Sequence, residues 1–148
     1  MADSPAADRP RAQNLRDYID RLGRDSLAGC TACGKCFEAC PMPGYSQALA
    51  AQTGPAIVEG VLQLLRGARG SDAALEWINL CTYSARCVPA CPEGVNPMLM
   101  LRVARMKVLG ALGDAPQLER PEDKAFFRRI HAFAALQLND DEIDAWQR

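Results

Sequence analysis

Cys30-Thr31-Ala32-Cys33-Gly34-Lys35-Cys36-Phe37-Glu38-Ala39-Cys40-Pro41 reads C-x2-C-x2-C-x3-C-P. This is the spacing of an iron–sulfur ligand run, in which three thiolates at steps of three let one short loop wrap a four-iron cluster. The fourth cysteine starts a departing segment, and in two-cluster proteins it ligates the other cluster. Pro41 fixes φ and offers no N–H, which turns the chain away from the loop. Gly34 suits a tight wrap and lets backbone N–H groups approach sulfide.

A second, incomplete copy follows. Cys81-Thr82-Tyr83-Ser84-Ala85-Arg86-Cys87-Val88-Pro89-Ala90-Cys91-Pro92 keeps the frame but has Ser84 where the second cysteine would stand. All seven cysteines of the 148-residue chain lie in these two runs, four in the first and three in the second. Exchange of the fourth cysteines puts Cys30, Cys33, Cys36 and Cys91 on a 4Fe–4S cluster one. It leaves Cys40, Cys81 and Cys87 on cluster two, with the remaining corner at Ser84. Such a site either drops the unligated iron and becomes 3Fe–4S, or keeps a second 4Fe–4S with Ser84 or another non-cysteine ligand. Serine oxygen is a harder ligand than thiolate, and 3Fe–4S is the expectation.

Two rivals deserve weighing. Structural zinc takes four Cys or His ligands, usually as two separated pairs; a quartet and a trio, with His131 far from both, fit it poorly. A zinc-stabilised interaction module nevertheless stands as an alternative from another class, as does an iron–sulfur sensor. A disulfide framework would leave one of seven thiols over.

Seventeen basic against eighteen acidic residues give a net charge of −1, so no basic surface invites nucleic acid. No apolar run approaches the roughly 20 residues that span a bilayer. Met1 to Pro10 lack a signal-peptide core, and a cytoplasmic protein is expected. With 49% hydrophobic residues the chain can bury a core, and its length suits one domain with tails.

The periodicity predicts an all-α fold. Residues 1–12 read as a disordered lead-in, 13–112 as the cluster domain, and 113–148 as a helical extension that suits docking to a partner. Asn14 caps a short helix that Gly23 ends. Gly54-Pro55 opens a helix carrying Ile57, Val58, Val61, Leu62, Leu64 and Leu65, broken by Gly67 and Gly70. Ser71 caps the next, which delivers Cys81. Met42 to Tyr45 and Pro92 to Gly94 read as turns. Asn96-Pro97 is a cap followed by a first helical residue, and Arg102, Arg105 and Lys107 form a solvated face of the helix it opens, with a docking surface as the alternative reading. Pro121 starts a helix through Phe126, Phe127, Ile130, Phe133 and Leu136. Asn139 with Glu142 predicts a capping box for a last helix ending at Trp146. His131 is expected to be a packed helical histidine and Trp77 a core residue. Lys35 and Arg86 read as solvated loop cations. Met42, Met98, Met100 and Met106 supply adaptable apolar side chains around the clusters or against a partner. No phosphate loop, Ser-His-Asp set or carboxylate pair stands out, so a non-catalytic electron-transfer subunit is expected.

Residues 14–112 resemble the α-helical ferredoxin domain of succinate dehydrogenase and fumarate reductase iron–sulfur subunits. The likeness is strongest in Cys81-x5-Cys87-x3-Cys91-Pro92-Glu93-Gly94-Val95-Asn96-Pro97. In those subunits this x5 spacing goes with a 3Fe–4S cluster. In size, and with no plant-type ferredoxin domain ahead of it, the chain is similar to the C subunit of heterodisulfide reductase. That resemblance implies an electron relay working in a hetero-oligomer beside a heterodisulfide-reductase-B-like catalytic subunit, with membrane association only through a partner. The alternative it carries is the ferredoxin subunit of a split succinate- or fumarate-type dehydrogenase. Thr82 and Tyr45 stand where the dehydrogenases carry the His and Trp beside their quinone, so no quinone site of that type is implied.

Overall fold

The computed structural model describes residues 14–113, 115–118 and 125–146. Asn14 opens helix α1 (Leu15–Gly29) by accepting a 2.9 Å hydrogen bond from the Asp17 N–H. The helix does not stop at Gly23. That glycine is buried, and a Cβ there would stand 3.8 Å from Val103 of a facing helix. The helix runs on through this buried glycine, and the expected stop is corrected to Gly29.

Two short helices, α2 (Lys35–Glu38) and α3 (Gln47–Ala50), flank a 3-10 turn at Met42–Tyr45. Helix α4 (Gly54–Leu65) begins with Pro55 in its first turn, and the six predicted apolar residues are all buried. Ser71 accepts from the Ala74 N–H to cap α5 (Asp72–Leu80). Asn96 accepts from the Leu99 N–H to cap α6 (Pro97–Val108). Each start rests on a local side chain, which is why it is legible in sequence.

The core lies where α4 packs on α5 and α6, with α1 laid across α6. Trp77 and Ile78 of α5 and Met100, Leu101 and Val103 of α6 are at most 1% exposed. Burying each such large side chain contributes about 2 kcal/mol. A Cβ on Gly60 would come within 2.8 Å of Ala74 Cβ, so α4 and α5 approach at glycine distance. Beyond α6 the chain doubles back: Gln117 donates to Ala68 O at 3.2 Å and accepts from the Gly70 N–H at 3.4 Å.

Helices α7 (Phe126–Ala134) and α8 (Asp140–Trp146) follow. Asn139 and Glu142 exchange reciprocal hydrogen bonds of 2.9 and 3.0 Å, forming the capping box that the sequence predicts. Helix α7 has no buried residue. His131 is exposed, which corrects its expected packing. The lead-in at 1–12 and the helix start at Pro121 lie outside the described residues. Among the described residues all regular structure is helical, and no helix is long and apolar enough to cross a membrane.

Candidate metal centre

Helix α1 hands the chain to the first cysteine loop at Cys30, whose N–H donates to Ser26 O at 3.0 Å. Gly34 then takes a left-handed conformation, φ 84°, and opens α2, which carries Cys36. A Cβ on Gly34 would lie 2.7 Å from both Gly54 C and Pro55 N. The loop thus rests backbone to backbone on the start of α4, a contact only glycine permits. Cys91 reaches this loop from the second run. Cys30, Cys33, Cys36 and Cys91 line one cavity, whose apolar wall includes Val58 and Met100. Thr31 Oγ1 donates to Glu93 Oε1 at 3.4 Å and ties the two runs together.

The second loop repeats the first in its backbone as well as its spacing. Ala32 and Gly34 have φ of 55° and 84°; the corresponding Tyr83 and Ala85 have 58° and 61°. Cys33 and Ser84 each sit between two left-handed residues, and both are exposed. The Ala32 N–H donates to the Cys30 sulfur, and the Tyr83 N–H does the same for Cys81. Left-handed backbone costs a non-glycine residue about 1 kcal/mol or more, so three such residues in two loops mark an imposed shape.

The thiols fall into two sets. Burial pushes the Cys36 thiol up to about 12, with Cys30, Cys87 and Cys33 adding to the rise and the Phe37 N–H opposing it. Burial also raises Cys30, opposed by the Ala32 N–H and reinforced by Cys91, Cys33 and Glu59. In the other set burial raises Cys81, where the Tyr83 N–H and Arg105 oppose and Cys40 adds. It raises Cys87 too, whose own N–H opposes while Cys81, Cys40 and Cys91 add. Cys30, Cys33, Cys36 and Cys91 thus share one cavity, while Cys40 and Cys81 act on Cys87, which in turn acts on Cys36. The two groups adjoin through Cys36, Cys87 and Cys91.

Side chains that sequence reading undervalued complete the surroundings. Trp77 is fully buried, and its indole N–H donates to Cys40 Sγ at 3.4 Å while its ring meets Phe37 edge-on at 5.2 Å. The expectation that it is a core residue misses that hydrogen bond. Arg105 donates to Asn79 O, and Lys107 reaches Leu65 O at 3.1 Å and Asp20 at 3.8 Å. Both are drawn onto the body of the protein, so the expected solvated face is reduced to Arg102. Lys35 and Arg86 are exposed, as expected. Met100 lines the first cavity, and Met42 Sδ lies 3.9 Å from Thr82 Oγ1. Tyr45 is 81% exposed.

All seven cysteines are free thiols. Among the described residues no three Cys, His, Asp or Glu side chains converge to hold a single metal ion. No family model matches the chain, and neither curated proteins nor solved structures match it.

Proposed function

We propose that this chain is an electron-transfer subunit of a larger redox complex, of the α-helical ferredoxin type and similar to the heterodisulfide reductase C subunit. Cys30, Cys33, Cys36 and Cys91 would hold a 4Fe–4S cluster; Cys40, Cys81 and Cys87 would hold a 3Fe–4S cluster at a site whose last corner is Ser84. The observation that carries this reading is the division of seven thiols into neighbourhoods of four and three, with Cys40 and Cys91 exchanged between runs. Zinc asks its thiolates to meet at one ion, about 2.3 Å from each sulfur. A cluster places its thiolates on separate irons, so its ligands need only line a common cavity.

The residues present fit such groups. Buried thiols resist ionisation in the empty protein, and a bound metal is the counter-charge that deprotonates them. Iron–sulfur clusters supply one-electron redox chemistry. The protein's own part is to exclude water with Val58, Met100 and Phe37, to aim the Ala32 and Tyr83 N–H groups at sulfur, and to fix the loop with Gly34. Free thiols suit a reducing compartment such as the cytoplasm.

Anaerobically purified protein is expected to contain about seven irons and eight labile sulfides per chain. Ser84→Cys should add about one iron and remove the EPR signal of an oxidised three-iron centre. One or two zincs with no labile sulfide would overturn the proposal.

A further inference from the structure

Thr82, Tyr83, Ser84, Ala85 and Arg86 are all exposed, so the second thiol set lies directly under a surface loop. Against that loop α6 forms a cavity of about 410 Å3, lined by Tyr83, Arg102, Arg105, Met106, Leu109 and Ala111. The Arg102 guanidinium lies 5.5 Å from the centre of the Tyr83 ring. Arg105 is close enough to Cys81 to favour its thiolate. Among the described residues neither arginine has a carboxylate within ion-pair distance, whereas Lys107 meets Asp20 and Arg66 meets Glu59 at 2.8 Å. In a chain of net charge −1 these two guanidinium groups are a local excess of positive charge.

We propose that this cavity is the docking site for surface carboxylates of the protein that exchanges electrons with the second thiol site. The inference rests on the electron-transfer reading given above. A guanidinium matches a carboxylate with two parallel hydrogen bonds. Tyr, Arg and Met are the side chains that interfaces favour, and here they share one wall. The first site has different surroundings: Glu93 lines its cavity, Glu59 beside Cys30 is paired with Arg66, and Lys35 is exposed on its loop. An acidic partner is thus attracted to the second loop, which selects the point of electron entry or exit.

Stopped-flow oxidation of the reduced, iron-loaded full chain tests the site. Tris(oxalato)cobaltate(III) and hexaamminecobalt(III) are one-electron oxidants of opposite charge. Between about 10 and about 200 mM salt the anionic oxidant should slow about fivefold, and the cationic one should hold steady or speed up. Arg102→Gln should slow the anionic oxidant about threefold at low salt and spare the cationic one. Arg102→Lys, which keeps the charge, should retain most of the rate. Equal responses of the two oxidants overturn the docking site alone. Malonate at constant ionic strength should compete for the cavity and reduce the anionic preference; a preference that malonate leaves untouched overturns carboxylate docking there. Protein without iron and labile sulfide overturns the electron-transfer reading, and the docking site with it.

Discussion

The two cysteine loops share a backbone and differ in nearly everything around it. In the first, a glycine takes the second left-handed position and is pressed against α4, and the cavity carries Glu93. In the second, Ala85 takes that position, the loop lies at the surface, and the nearby charges are Arg102 and Arg105. One local conformation has thus been placed in two electrostatic and steric settings. The backbone decides how the thiols are presented, and the setting decides what each set meets.

The sharpest way to break this comparison is to exchange the residues at the shared position. Gly34→Ala puts a Cβ 2.7 Å from Gly54 and Pro55 backbone atoms at φ 84°. It should cost about 3 kcal/mol or more in urea unfolding of the metal-free protein. Ala85→Gly relieves a left-handed alanine but adds freedom to the unfolded chain, and it should stabilise by about 0.5 kcal/mol. Equal and small effects at both positions would mean that the loops are not held as described.

Titration sharpens the comparison next. The folded state holds the Cys36 proton more tightly than the unfolded chain, with a pKa raised from 9.0 to about 12. The stability linked to that thiol is complete below about pH 9 and is lost as pH rises toward 12, at up to about 1.4 kcal/mol per pH unit. Cys30, Cys81 and Cys87 are raised in the same direction. Metal-free protein should therefore lose stability above pH 9 in denaturant titrations. Cys36→Ala should flatten that slope more than Cys81→Ala does, because Arg105 and the Tyr83 N–H already favour the Cys81 thiolate.

A more local effect concerns Trp77. Trp77→Phe keeps an aromatic ring beside Phe37 but removes the N–H that meets Cys40. It should cost about 1 kcal/mol in stability. If the protein holds the two clusters proposed above, EPR-monitored redox titrations should show a lower potential at the second and an unmoved first, since a donor to sulfur favours the more negative, reduced state. A shift at the first site instead would place Cys40 in the wrong set.

What was legible in the sequence was local. Ser71, Asn96-Pro97 and Gly54-Pro55 mark their helices because a cap acts within three or four residues. The four-plus-three division of cysteines was equally readable. Gly23 was misread because a glycine inside a helix looks like a stop until the facing α6 is known. The second pair of left-handed residues was invisible, since neither Tyr83 nor Ala85 advertises positive φ. Trp77 and Cys40 meet only through the fold, and no spacing announces an indole donor to a thiol. Arg105 and Lys107 looked solvated for the same reason: their acceptors, Asn79 O and Leu65 O, belong to other helices.

The exchange of Cys40 and Cys91 has a consequence for inheritance. Cys91 lines the cavity of the first run and Cys40 acts on Cys81 and Cys87, so under the proposed assignment neither half of the gene would encode a complete site. A fragment ending before Cys81 keeps four cysteines but lacks the one that lines the cavity with Cys30, Cys33 and Cys36. A fragment beginning after Pro41 keeps Cys81 and Cys87 without Cys40. On the assignment proposed above, recombination could not lend out one site as a separate module.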